Sequence, residues 1–526
     1  MKTYALRIGM ACALAVLTAC GSDTQTSTLN DSTARGTLVE NPPFRIASVN
    51  AAALAAQLGA SAAGQQLLQV AGAPLCGVDF NYMHYWTVGG KGEAESASGA
   101  LMVPTGAAPA CSGPRPIVLY AHATQFDKNA NIADITDPNN TEGALIAAMF
   151  AARGYIVVAP NYVGYDSSSS SYHPFLNEDA QTKDMIDALT AARSALGKVL
   201  AATTTDNGKL FITGYSQGGY VAMATHKAMQ AAGLAVTASA PMSGPYALAA
   251  LFDAVFFGHV NLGATEFAPI LTLSYQKAYG NVYTAPSDTY AAAYAPTIEG
   301  LLPSATPIAQ LISAGKLPQL QLFHNTVWAT GTPLDALLDE PPATSAVNAL
   351  YDLGFGPANL INDSYRLAYV QDAAANPDGV LLPLLNPGAP PTPPVPAAAP
   401  ANPLRQDLKL NDLRNWTPQA PVLMCGGMND PTIYFSVNAL VMQEYWTVVA
   451  PPVSPALVTV LDLESQPSGA ADPFAAAKLG FQATVAAVAA AAGGGAAGQS
   501  AVAQVYHGTL VPPFCAAAAR GFFSQF

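Results

Sequence analysis

The sequence predicts an α/β fold, with a mostly parallel central sheet flanked by helices and a large, mainly helical insertion. Three observations predict it. Short apolar runs alternate with helical periodicity from Pro116 to about Ala240, and strand–helix alternation builds a parallel sheet through crossovers. The alternation stops from Tyr246 to about Asn411, where the chain is aromatic-rich and broken by prolines, and resumes at Pro421. Between a strand and a helix stands Gly214-Tyr215-Ser216-Gln217-Gly218, a G-x-S-x-G pattern that holds a serine on a sharp turn at the top of a sheet.

The elements follow in order. Ala51 to Val70 has helical spacing. Asp79 to Val88 and Ala94 to Val103 read as a strand pair around Gly89-Gly90-Lys91-Gly92. Pro116 to Ala121 is a buried strand, and Thr141 to Arg153 a helix capped by Asn140 or Thr141. Tyr155 to Ala159, Lys209 to Thr213 and Val236 to Ala240 complete six strands before the insertion. Glu178 to Leu196 and Gly219 to Ala232 are helices. The insertion, 246–411, carries Leu251, Phe252, Val255, Phe256 and Phe257, and ends in a stiff Pro-rich linker, 386–396. Beyond it come a strand at Pro421 to Cys425, a helix from Tyr434 to Tyr445 and a strand from Leu457 to Leu461. An Ala-rich helical stretch from Pro473 to Gln504 follows, interrupted by Gly493-Gly494-Gly495.

The first 19 residues have the form of an export signal. Lys2 and Arg7 precede a short apolar core, Ile8 to Leu17. Leu17-Thr18-Ala19-Cys20-Gly21 resembles the lipobox of bacterial lipoproteins, which implies cleavage before Cys20 and a diacylglycerol on its sulfur. A polar tether runs on to about residue 45, then core residues 46–245, the insertion, and core residues 412–526. Without residues 1–19 the chain carries 19 basic side chains (21 less Lys2 and Arg7) against 34 acidic ones, a formal charge of −15. That balance argues against nucleic acid as a partner. The membrane is expected as a partner through the lipid anchor, which places the chain in the bacterial cell envelope.

Of six cysteines, Cys12 leaves with the signal and Cys20 would carry lipid. Cys76, Cys111, Cys425 and Cys515 suit two disulfides in an exported chain. Three pairings are open. Cys76–Cys111 is favoured because it would bracket the first hairpin. No C-x-x-C or H-x-x-x-H spacing occurs, so no metal is expected.

A serine hydroxyl needs a histidine to take its proton and a carboxylate to orient that histidine. With Ser216 as nucleophile, the order Ser, acid, His selects His507, the one histidine after Asp430. Asp430 follows the Val422–Cys425 run and is the expected acid; Asp462, also at a strand end, is its rival. Cys425 lies five residues before Asp430 and Cys515 eight after His507, so their disulfide would pin the two loops together. The oxyanion hole would take backbone N–H groups from Gln217 and Thr124. His122 is expected to fix the Thr124 loop, and His173 to shape the pocket rim.

With these residues in place the chain resembles the secretory lipase branch of the α/β-hydrolases. Gly-Tyr-Ser-Gln-Gly-Gly at 214–219, Asn161-Tyr162-Val163-Gly164-Tyr165, His173-Pro174-Phe175-Leu176 and Asn429-Asp430-Pro431 carry the likeness, over roughly 75–245 and 412–526. One departure is Ala123, where many such esterases have glycine. The resemblance implies hydrolysis of carboxylic esters, from triglycerides to aryl esters and polyesters, with no cofactor. It also implies a cap inserted after the sixth strand. Phe256 and Phe257 are expected to bind an apolar acyl or polymer segment. An acyltransferase on the same fold, or a non-catalytic binding protein, are the alternatives.

Overall fold

The structure is a computed structural model that describes residues 34–199, 203–339, 341, 346–381, 392–448, 453–469 and 471–526. The signal segment, Cys20 and the tether up to residue 33 lie outside the described residues, as does the Pro-rich stretch over 386–391.

Nine strands form one sheet: β1 (Phe44–Val49), β2 (Gly77–Val88), β3 (Ala94–Thr105), β4 (Gly113–Ala121), β5 (Ile156–Pro160), β6 (Thr204–Tyr215), β7 (Ala238–Met242), β8 (Val422–Gly426) and β9 (Val458–Asp462). Their order is β1-β2-β3-β5-β4-β6-β7-β8-β9. The first three strands and β5 pair antiparallel, and every pairing from β5–β4 to β8–β9 is parallel. The parallel strands at the centre are covered on both faces, which is why they read as unbroken apolar runs. In β4, Ile117 and Leu119 enter one core while Val118 and Tyr120 enter the other, the period of two that a strand imposes.

Three elements differ from the sequence reading. β1 straddles the boundary expected between tether and core; its outer residues Phe44 and Ile46 are exposed, so no apolar pattern marks it. The insertion therefore follows the strand expected as sixth, which is seventh in chain order. The helix expected over Ala51 to Val70 is two, Ala51–Gly59 and Ala62–Ala71, with Ser61 capping the second through the Gly64 N–H. The helix expected from Tyr434 begins at Ala439.

The insertion leaves at the end of β7 and returns before β8. Its first helix, Leu248–Phe256, is tied to its last, Pro403–Leu410, by a buried cation. Arg405 holds Asp253 at 2.9 Å and Asp372 at 2.7 Å. Arg414, fully buried just beyond, holds Asp378 at 2.6 Å and Asp412 at 2.9 Å. Removing one partner of such a pair strands a buried charge, which typically costs about 3–5 kcal/mol. These contacts fix the cap's chain ends to one another. Farther on, helices Ala475–Ala491 and Gly495–Val505 meet at Gly493 and Gly494, whose φ values of 90° and 69° break the helix there.

Candidate active site

Ser216 is the single residue between β6 and helix Gln217–Ala231, with φ 57° and ψ −119°. L-residues rarely adopt this region, so the surroundings must enforce it. A Cβ at Gly218 would lie 1.9 Å from Ala121 O, and one at Gly219 2.3 Å from Met242 O. The glycines let the helix start pass directly over β4 and β7. The result holds Ser216 at the helix N-terminus, where unpaired N–H groups favour negative charge.

The structure brings together the three side chains selected by chain order. Asp430 Oδ2 is 2.7 Å from His507 Nδ1, and His507 Nε2 is 2.8 Å from Ser216 Oγ. Asp430 Oδ1 accepts the Thr432 and Ile433 N–H groups at 2.9 and 3.1 Å, so one oxygen is anchored and the other faces the imidazole. Because the carboxylate can only accept, Nδ1 carries the proton and Nε2 presents its lone pair to the serine. His507 was expected in a loop. It stands instead in a widened helical turn, Tyr506–Leu510, between two helices. Tyr215 donates its hydroxyl to His507 O.

Asp462, the rival acid, is not beside His507. Its Oδ1 accepts the Met428 N–H at 3.1 Å and the Glu464 N–H at 2.9 Å. Glu464 in turn accepts the Asn429 N–H at 2.8 Å and the Tyr506 hydroxyl. Both carboxylates brace the loop that presents Asp430. A disulfide joins Cys425 to Cys515 across the same region, and another joins Cys76 to Cys111. Both pairings match the expectation and are consistent with an oxidising, extracytoplasmic setting.

Thr124 and Gln217 line the same cleft as Ser216. Their surroundings are tightly bonded. The Ala123 N–H donates to the Glu142 carboxylate at 3.0 Å, and so does the Tyr120 hydroxyl at 2.7 Å. His122 faces Ala123 O at 2.6 Å and Asn161 O at 3.0 Å, the loop-fixing role expected of it. His173 does not sit at the rim. It is buried, with Nδ1 2.8 Å from Val163 O and Nε2 2.6 Å from the Gln217 side-chain amide. Burial pushes its pKa down to about 3. The ring is therefore neutral, donates from Nδ1, and accepts from Gln217, which fixes the residue after the serine. Glu142 was missed in the sequence because nothing marks it except its place in a helix's first turn. Asn161, which stands in the sequence only as part of a motif, accepts the Ile132 N–H on its Oδ1 at 2.8 Å. His226 is buried against Ser239 Oγ at 2.9 Å, a packing role.

Burial pushes the Glu142 carboxyl up to about 7, against an ordinary value of 4.5. The folded chain thus holds this proton more tightly than the unfolded one. Its contribution to stability is full below the unfolded value and is lost as pH rises through the folded one. Glu142→Gln keeps an acceptor oxygen for Tyr120 and Ala123 and is expected to flatten that fall. Thermal unfolding at about pH 5 and about pH 8 reads it; an equal slope in both proteins would show that another group carries the dependence.

A cleft opens over Ser216. Phe252, Val255, Phe256 and Phe267 line it from the cap, and none of its lining side chains is charged. Phe257, expected to bind substrate with Phe256, is not part of the lining. It caps the helix C-terminus and is buried in the core, because neighbouring positions on a helix point about 100° apart. Among the described residues no group of three or more His, Cys, Asp or Glu could hold a metal ion.

This sheet, flanked by helices and with a large helical insertion between β7 and β8, has the α/β-hydrolase architecture. The chain is similar to the rice cell wall degrading esterase LipA from Xanthomonas oryzae. A ligand-bound form of that esterase aligns at 23% identity, over 94% of this chain and 100% of that one, with a TM-score of 0.65. Another structure of it aligns at 25% identity over 85% and 95%, with a TM-score of 0.60. A Legionella pneumophila protein shares the fold at 17% identity, over 81% and 91%, with a TM-score of 0.56. Residues 143–247 match the model of the prolyl oligopeptidase family. No curated protein matches the chain. Fold and likeness together define an enzyme of the hydrolase class.

Proposed function

We propose that this chain is an exported, lipid-anchored serine hydrolase that cleaves carboxylic esters with an apolar acyl or polymer part. The observation that carries the reading is the bonded series Asp430–His507–Ser216, whose serine lines a cleft without charged side chains. Ser216 Oγ attacks the ester carbonyl carbon while His507 Nε2 takes its proton. The carbonyl electron pair moves to oxygen, which the Gln217 and Thr124 N–H groups stabilise. Collapse expels the alcohol, protonated by His507, and leaves an acyl-enzyme; water repeats the sequence and frees the acid. Asp430 holds the histidine tautomer and stabilises the imidazolium. A fluorophosphonate probe should label Ser216 and abolish ester hydrolysis. Labelling of another residue, with hydrolysis intact, would overturn the assignment.

The match over 143–247 favours a second reading, amide cleavage. It rests on the nucleophile segment alone, and the cleft offers no charge to receive a peptide terminus. Matched ester and anilide substrates with one acyl group separate the two, and hydrolysis of the ester alone is expected. Acyl transfer would show as product formed from an added alcohol.

Cys20 is proposed to carry the lipid. Cells expressing the full gene and fed a radiolabelled fatty acid should label the wild type, and Cys20→Ser should lose the label and leave the membrane fraction. An unlabelled wild type would refute the anchor without touching the chemistry.

A further inference from the structure

Four polar residues of the cap line the cleft over Ser216: Asn261, whose amide donates to Thr432 O at 2.8 Å, Thr272, Thr289 and Tyr365. Thr272 is satisfied inside the cap: its Oγ1 donates to Ala268 O at 2.9 Å and meets the Tyr290 hydroxyl. The other two are different. Thr289 is wholly buried. Neither its Oγ1 nor the shielded Tyr365 Oη has a partner in hydrogen-bond geometry among the described residues. The two hydroxyls are near enough to influence each other. Such a pair can use at most one of its two O–H donors internally, so one is left over.

The backbone holds this pair in place. The Asn362 N–H donates to Thr289 O at 2.9 Å, and Tyr290 bridges to Ile361. That seats Thr289 beside the start of helix Asp363–Ala375, which carries Tyr365. The Tyr365 ring lies 6.4 Å from that of Phe256, so the hydroxyls adjoin the apolar lining. Burying a hydroxyl without a partner is unfavourable, and valine or phenylalanine would fill the same shapes without that penalty.

Resting on the esterase reading of Ser216, we propose that Thr289 and Tyr365 form a polar subsite for the acyl group. It takes a hydrogen-bond-accepting oxygen carried partway along the chain, so that hydroxy- or oxo-acyl esters are preferred over plain alkyl ones. Ser216, Thr289 and Tyr365 line one cleft, with the two hydroxyls shielded just behind its surface, and an acyl chain held at Ser216 would run along the Phe252, Val255 and Phe256 wall. A plain chain of the same length seals the spare donor without a partner. Discrimination comes from that unmet group more than from the bond gained.

The test compares kcat/KM for p-nitrophenyl octanoate with a series in which one oxo group is moved carbon by carbon along the octanoyl chain. In the wild type one position should be favoured over octanoate by roughly three- to tenfold. Thr289→Val and Tyr365→Phe, singly and together, should bring that ratio back towards unity, whatever happens to the absolute rates. Equal or lower rates at every position, or a preference that survives in the double variant, would overturn the subsite and leave ester hydrolysis standing. No turnover of octanoate above that of Ser216→Ala would overturn the esterase reading and the subsite with it. The wild-type series decides even where a variant fails to fold.

Discussion

Ser216→Ala is expected to lose roughly three or more orders of magnitude in kcat on any ester the wild type cleaves, while remaining folded. The fold should survive because the serine's contribution to the elbow is its backbone. Gly214, Gly218 and Gly219 make room for the turn, and Ser216 N–H donates to Met242 O at 3.0 Å whichever side chain is present. What is lost is Oγ, the one atom within bonding distance of His507 Nε2. His507→Ala should fall to the same level, and the double variant no further, because nucleophile and base act in one proton transfer. Residual activity should come from the Gln217 and Thr124 donors and from binding in the cleft. Circular dichroism and thermal unfolding establish that the variants are folded; near-normal turnover by folded Ser216→Ala would remove the basis of the proposed function.

Much of this site was legible because it depends on order along the chain and on glycine. The elbow needs small residues at fixed offsets from Ser216, and those offsets can be read without a structure. His507 could be selected because so few histidines exist and only one follows Asp430. The strands of the parallel core were legible for a related reason: burial on both faces leaves unbroken apolar runs. What could not be read depends on packing across the chain. β1 is an edge strand with an exposed face and carries no such run. Phe256 and Phe257 are equivalent as letters and equally buried, yet only Phe256 is among the residues that line the cleft, since a helix turns by about 100° between neighbours. Glu142 becomes significant only because folding lays a helix start against the Ala123 N–H, and no local pattern announces that contact. His173 stands out in the sequence, but its bond to Gln217 joins residues far apart along the chain.

Asp430→Asn is expected to lower kcat by roughly two to four orders of magnitude, and Asp462→Asn by less than about tenfold. The difference follows from which atom each carboxylate presents. Asp430 Oδ1 accepts two backbone N–H groups, from Thr432 and Ile433. An asparagine there must keep its oxygen on those donors, which turns its NH₂ towards His507 Nδ1. Nδ1 then has to accept, and the ring proton moves to Nε2, where it faces Ser216 Oγ and blocks proton abstraction. The geometry survives while the tautomer is wrong. Asp462 presents Oδ1 to the Met428 and Glu464 N–H groups, and asparagine retains an oxygen for both. Its loss of charge falls on the bracing of the loop, so the effect should appear in thermal stability before it appears in turnover. The pH profile adds a second reading: a tautomer defect should be relieved in part at high pH, where hydroxide can take the serine proton in place of the imidazole, whereas a loosened loop should not respond. A crippled Asp462→Asn beside a near-normal Asp430→Asn would mean that the bonded series seen here is not the one that reacts, and that the acid is supplied from the end of β9.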